Sequence, residues 1–181
     1  MSAPTHRQLA RDTPVSCAVV TISDTRTETT DRSGDAIKSR LRDAEHPVEF
    51  YRIVPDDSEQ IRRVLLHLSG QVDVVITTGG TGIARRDATI EVAERLIQKP
   101  MPGFGELFRM LSFEDIGPAA MLSRATAGLY GHEDGPAETL LFCCPGSVAA
   151  VELAMDRLIV AELPHLVWEV IRQPALKART A

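Results

Sequence analysis

The run Val72-Asp73-Val74-Val75-Ile76-Thr77-Thr78-Gly79-Gly80-Thr81-Gly82 changes character halfway along. From Val72 to Thr77 it carries apolar residues on both faces, which reads as a strand buried on both sides. From Thr78 to Gly82 it has little to bury and reads as a loop, with a helix expected from about Thr89 to Ile97. A buried strand, a glycine loop and an amphipathic helix form the repeating unit of a parallel α/β sheet.

The same alternation runs outward in both directions. Upstream, Cys17 to Ile22 is a second buried strand, ended by Ser23-Asp24, and Asp31 or Ser33 is placed to cap a helix through Arg42. Val48 to Val54 alternates like a strand until Pro55-Asp56-Asp57. Ser58 is expected to cap the next helix, with Ile61, Val64, Leu65 and Leu68 on one face and Gly70 at its end. Downstream, 100–117 reads as helical in part, interrupted at Pro102-Gly103 and Gly105. Thr126 to Tyr130 and Thr139 to Cys143 read as strands around a turn at 131–136, Pro145-Gly146-Ser147 opens a helix through Ile159, and Ala161 to Ile171 forms the last. The expectation is an α/β, three-layer αβα fold on a mostly parallel sheet. It comprises one domain over 15–172, a flexible arm at 1–14 and a tail at 173–181.

Composition narrows the function classes. Hydrophobic residues make up 44% and charged residues 25%, with a formal net charge of −5, so no basic footprint for nucleic acid exists. Cys17, Cys143 and Cys144 sit in or beside apolar runs without CxxC spacing and read as buried small hydrophobes of a reducing compartment. The N-terminus lacks an apolar h-region and no stretch approaches a membrane span, so a cytoplasmic protein is expected. The five histidines show no metal spacing, and neither a hydrolase elbow nor a Cys/His pair is present.

In parallel sheets ligands bind beyond the carboxyl ends of the strands, which collects Ser23-Asp24, Asp56, the Gly79 loop and the Gly146 loop. Glycines at 79, 80 and 82 free the backbone for positive φ and for amides that converge on an anion. The spacing fits neither GxxxxGK[ST] nor GxGxxG, and a tight strand-to-helix turn accounts for it equally well. Asp87 is either a helix-start acid or a carboxylate beside phosphates, and Asp56 either a turn former or its partner at Mg²⁺. Arg124, after Ser123, suits bidentate phosphate contact or a surface ion pair, and Gly146-Ser147 offers a helix N-terminus to an anion.

Together, Thr77-Thr78-Gly79-Gly80-Thr81-Gly82, Arg86-Asp87-Ala88-Thr89, Pro102-Gly103-Phe104-Gly105-Glu106, Met121-Leu122-Ser123-Arg124-Ala125 and Pro145-Gly146-Ser147 resemble the MogA/MoaB family, and the gephyrin G domain is similar. The resemblance runs from about Ser16 to Ile171, and 104–117 looks more like the MoaB branch. It implies a molybdopterin-binding fold in a homotrimer or hexamer. It also implies transfer of AMP from Mg-ATP to the terminal phosphate of molybdopterin, with release of pyrophosphate. On that likeness Asp56 and Asp87 carry the catalytic and Mg²⁺ role. Thr78, Gly79, Gly80, Thr81 and Gly82 cradle phosphate, and Ser23, Ser123, Arg124, Gly146 and Ser147 line the pocket. The chain departs from the family at Ile90 and Val148, where proline is usual, and the turn 131–138 looks longer. A non-catalytic molybdopterin-binding protein of the same pathway, with which other pathway proteins could associate, is the alternative. Apolar residues in 104–110 and 163–168 beyond the needs of one core favour an oligomer.

Overall fold

A computed structural model describes residues 14–132, 135 and 139–172. The expected arm, except for Pro14, the expected tail and most of the 131–138 turn lie outside the described residues. One six-stranded sheet has the order β2-β1-β3-β6-β5-β4, with β1 Cys17–Ile22, β2 Val48–Val54, β3 Val74–Thr78, β4 Ile97–Pro100, β5 Thr126–Tyr130 and β6 Thr139–Cys144. β2, β1, β3 and β6 run parallel, while β5 is antiparallel to both β6 and β4.

The helices are α1 Arg32–Asp43, α2 Ser58–Leu68, α3 Thr89–Leu96, α4 Pro102–Ile116, α5 Val148–Ala154 and α6 Leu163–Val167. Strand alternation divides the apolar residues between two cores. Cys17, Val19, Val74, Ile76 and Phe142 face α1, α4, α5 and α6, packing on Ile37, Leu41, Phe108 and Val151. Ala18, Val20, Val75, Leu141 and Cys143 face α2 and α3, packing on Ile61, Leu65, Val92 and Leu96. Apolar on both faces, the central strands require both layers of helices, and the expected three-layer architecture results.

Four local expectations are corrected. Ile97–Pro100 forms an edge strand rather than a helix end. Proline disfavours helix in the residue before it, and its missing N–H does no harm at an edge. Helix α4 runs unbroken through Gly103 and Gly105, because Pro102 occupies its first turn, where no donor is needed. Gly105 is instead a close approach: a Cβ there would lie 2.6 Å from the Ala125 carbonyl oxygen. Asp57, not Ser58, caps α2, its side chain accepting from the Gln60 amide. Lastly, α5 and α6 stop early and pass into wider π turns at Met155–Ile159 and Trp168–Arg172.

Candidate functional site

The parallel strands deliver their C-terminal ends to one edge of the sheet. Ser23 continues β1 by donating its amide to Val54 O at 2.9 Å, and its hydroxyl accepts from the amides of Thr25 and Arg26 at 3.3 and 3.2 Å. Asp24 Oδ1 accepts the Asp56 amide at 3.1 Å, tying the β1 and β2 ends together. Gly79 and Gly80 follow β3 with φ of 99° and 62°. Both values lie in the left-handed region that L side chains avoid, and a Cβ on Gly79 would collide with the Ile22 carbonyl. The third glycine works differently: Gly82 makes room for the Asp87 carboxylate, which a Cβ would strike.

The Gly79 amide is committed to Cys144 O at 3.1 Å, while no protein acceptor among the described residues takes the amides of Gly80, Thr81 and Gly82. Beside them lies Asp56, whose Oδ1 would be 2.9 Å from a Cβ on Gly80 and accepts the Ala88 amide at 3.2 Å. Burial raises the Asp56 carboxyl above the ordinary carboxylate range; the Ala88 bond opposes this, and the charges of Asp87 and Asp24 add to it. Asp87 Oδ2 accepts the Ala84 amide at 2.9 Å, so this acid also closes the loop. Gly146 packs on the same spot, since a Cβ there would lie 3.2 Å from Gly79 Cα. Ser147 is the N-cap of α5, accepting from Ala150 N at 3.3 Å.

The remaining expected residues serve the loop from behind. Thr78 is buried and donates its hydroxyl to Pro145 O at 3.0 Å, and Thr81 is buried as well. Arg124 donates to Thr81 O at 2.8 Å and Gly82 O at 2.5 Å, and pairs with Glu91 at 2.6 Å. Its guanidinium therefore braces the loop from its carbonyl side and holds the Glu91 carboxyl below its usual range. Ser123 sits at the end of the 3₁₀ segment Gly117–Leu122, next to Arg124. Beyond Arg124 a cleft of about 300 Å³ opens between Met101, Gly105, Arg109 and Thr126.

Two contributors escaped the sequence reading. Thr89 donates its hydroxyl to Gly79 O and its amide to Gly80 O, both at 3.0 Å, locking helix α3 to the loop. Asp31 is more than a cap. It accepts from Thr21 at 2.5 Å, Tyr51 at 2.8 Å, the Gly34 amide at 3.0 Å, Ser33 at 3.1 Å and Arg26 at 3.3 Å. Arg26 in turn donates to Gly146 O at 2.8 Å. Only the tertiary fold brings β1, β2 and the Gly146 turn to one carboxylate, and the sequence signal was limited to capping.

Comparison with known proteins places this geometry. Residues 18–165 match the family described as "Probable molybdopterin binding domain". The chain is 49% identical over 176 residues to molybdenum cofactor biosynthesis protein B of Bacillus cereus, covering 96% of this chain and all of that one (100%). It superposes on a crystal structure of molybdenum cofactor biosynthesis protein B with a TM-score of 0.80 at 49% identity, over 87% of this chain and 96% of that chain. For the tungsten cofactor synthesizing protein MoaB from Pyrococcus furiosus the TM-score is 0.76 at 37% identity, over 86% and 96%. The likeness is thus to the MoaB branch, as the segment 104–117 led one to expect. The chain belongs to the molybdopterin-binding domain family of molybdenum cofactor biosynthesis.

Proposed function

We propose that this protein is a cytoplasmic molybdopterin adenylyltransferase that takes Mg-ATP as co-substrate. The supporting observation is the Asp56 carboxylate set against Gly80, next to the unbonded amides of Gly80, Thr81 and Gly82 at the strand ends. Amides free of protein acceptors suit a phosphate, and a carboxylate within reach of them suits the divalent cation that accompanies it. Among the described residues no three His, Cys, Asp or Glu side chains group to hold a metal unaided. That fits Mg²⁺ arriving on ATP, with phosphates and water completing its shell and Asp56 and Asp87 supplying one carboxylate each.

In the reaction a terminal phosphate oxygen of molybdopterin forms a bond to the α-phosphorus of ATP, and the α–β bridging bond breaks to release pyrophosphate. The nucleophile is already anionic, so no general base is required, and positioning with charge stabilisation suffices. The loop amides hold phosphate, and the turn at Gly146 closes the site against Gly79. Ser123 and Ser147 are proposed to line the pterin side.

A specific observation favours the second reading, a binding protein without turnover: Asp87 is engaged by its own loop through Ala84. The test is pyrophosphate release and adenylylated-pterin formation from purified protein, molybdopterin and Mg-ATP under anaerobic conditions, beside Asp87→Asn. An amide oxygen can still accept from Ala84, so this change removes charge while sparing the loop. Turnover lost with pterin binding retained establishes the enzyme. Binding without turnover in the unaltered protein establishes the second reading, and weakened binding with preserved turnover contradicts the role given to Asp87.

We also propose a homo-oligomer, trimer or hexamer, assembled through α4. Its residues Leu107, Met110, Phe113 and Ile116 are large, apolar and exposed, and Met121 and Leu122 continue the patch. Leu163 and Val167, also counted toward an interface in the sequence, are buried in the core instead.

A further inference from the structure

The groove between α2 and the outer strand β2 carries a charge pattern that the candidate site does not use. β2 is an edge of the sheet, so α2 covers its inner face only in part. Phe50 and Val54 on that face join the α2-side core, and strand alternation sets Arg52 between them on the same face. The Arg52 guanidinium lies over the Phe50 ring, 5.4 Å from its centroid, and the same ring is tilted against His67 at 6.3 Å. From α2, Gln60, Arg63, Val64 and His67 form one stripe at helical spacing. Arg63 and His67 therefore face the space that Arg52 faces.

The result is a groove of about 490 Å³, lined by Arg52, Arg63, His67 and Pro55 and floored by the buried Val54 and Val64. That volume falls within the roughly 300–1,000 Å³ of small-molecule sites. No carboxylate lines the groove, and among the described residues none pairs with its cations. The lining thus runs against the composition of the chain, in which Asp and Glu number 25 against 20 Lys and Arg. By contrast, Arg26 pairs with Asp31, Arg40 with Asp156 and Arg124 with Glu91.

We propose that this groove binds a small organic phosphate, a phosphate group carried on a flat apolar body. Two guanidiniums match phosphate oxygens bidentately, and a neighbouring imidazole adds a third donor. The floor of Val54 and Val64 takes the apolar body, a contact that a bare inorganic ion leaves unused. An inward cation on an edge strand also discourages strand addition, but that purpose needs Arg52 alone and gives no reason for a second arginine and an imidazole from the helix. The site is separate from the Gly79 loop and does not rest on the adenylyltransferase reading.

The test follows the His67 imidazole resonances by NMR while the full chain is titrated with phenyl phosphate and, separately, with inorganic phosphate. Phenyl phosphate is expected to move them saturably, with a Kd of about 1 mM or tighter, and inorganic phosphate to bind more weakly. Arg52→Gln/Arg63→Gln alters two exposed side chains, so the fold persists, and affinity should drop roughly tenfold or more. Asp56→Asn should leave the titration unchanged. The proposal is overturned by the absence of a saturable His67 response, by equal affinity in the double variant, by loss of the response in Asp56→Asn, or by inorganic phosphate binding as tightly as phenyl phosphate.

Discussion

Replacing Asp31 with asparagine should destabilise the protein at neutral pH and remove part of its acid sensitivity. The side chain is fully buried, and its two oxygens accept five hydrogen bonds. An asparagine keeps one acceptor, best directed at the Gly34 amide and Arg26, which can only donate. Its NH₂ then meets the Thr21 and Tyr51 hydroxyls, and each of these can reverse and accept. The main loss is therefore the charge opposite Arg26. Removing one partner of a buried pair costs about 3–5 kcal/mol, but Arg26 is 30% exposed and water takes up part of its charge. Allowing for that and for weakened charge-assisted bonds gives about 2–4 kcal/mol. For a domain of this size that lowers Tm by roughly 5–15 °C.

The pH dependence has a definite sign. Burial works against ionisation of Asp31, but the bonds from Thr21, Gly34, Tyr51 and Ser33 outweigh it and hold the folded carboxyl below its ordinary range. A depressed folded pKa stabilises the protein fully above the unfolded value of about 3.9, and the contribution fades as pH falls through the folded value. Urea denaturation at pH 7, 5 and 3.5 should show a gap between the two proteins that narrows in acid. A gap under about 0.5 kcal/mol at pH 7, or one that stays constant into acid, would refute this account of Asp31.

Three further outcomes follow from the same geometry. Gly79→Ala places a side chain at φ 99° against the Ile22 carbonyl, and a loss of about 2 kcal/mol or more is expected in urea midpoint measurements; a loss below about 0.5 kcal/mol would mean the loop is not held there. Arg124→Gln frees the Thr81 and Gly82 carbonyls, so exchange of the Ala84 amide, which the loop holds on Asp87, should accelerate tenfold or more by roughly 1.5–3 kcal/mol of lost bracing; unchanged exchange would argue that Arg124 braces nothing. Met110→Glu/Phe113→Glu puts charge on the exposed face of α4, and sedimentation should show smaller species than the unaltered chain forms; an identical distribution would exclude this face as the contact.

Much of the architecture was legible because its signals are local. The runs Cys17–Ile22 and Val74–Thr78 are mostly apolar and buried at every position of both faces, and only a sheet covered twice buries them. The Pro-Asp turn and the glycine loop declare themselves through backbone chemistry. Edge strand β4 was missed because its four residues have no periodicity of their own and are strand only through pairing with β5. The break expected at Gly103 and Gly105 failed for a related reason, since packing against Ala125 explains Gly105 better than its low helix propensity.

The site divides along the same line. By itself the sequence determined the family, the order of strands and helices apart from β4, and which loops follow strands, because each depends on residue types at fixed spacings. Tertiary structure decided which way each polar group is turned. It drew Arg124 toward the loop carbonyls, set Asp56 rather than Asp87 against Gly80, and joined Thr21, Tyr51 and Arg26 at Asp31. Those choices depend on which donor and acceptor are left unpaired once distant strands have met, and no spacing along the chain encodes that.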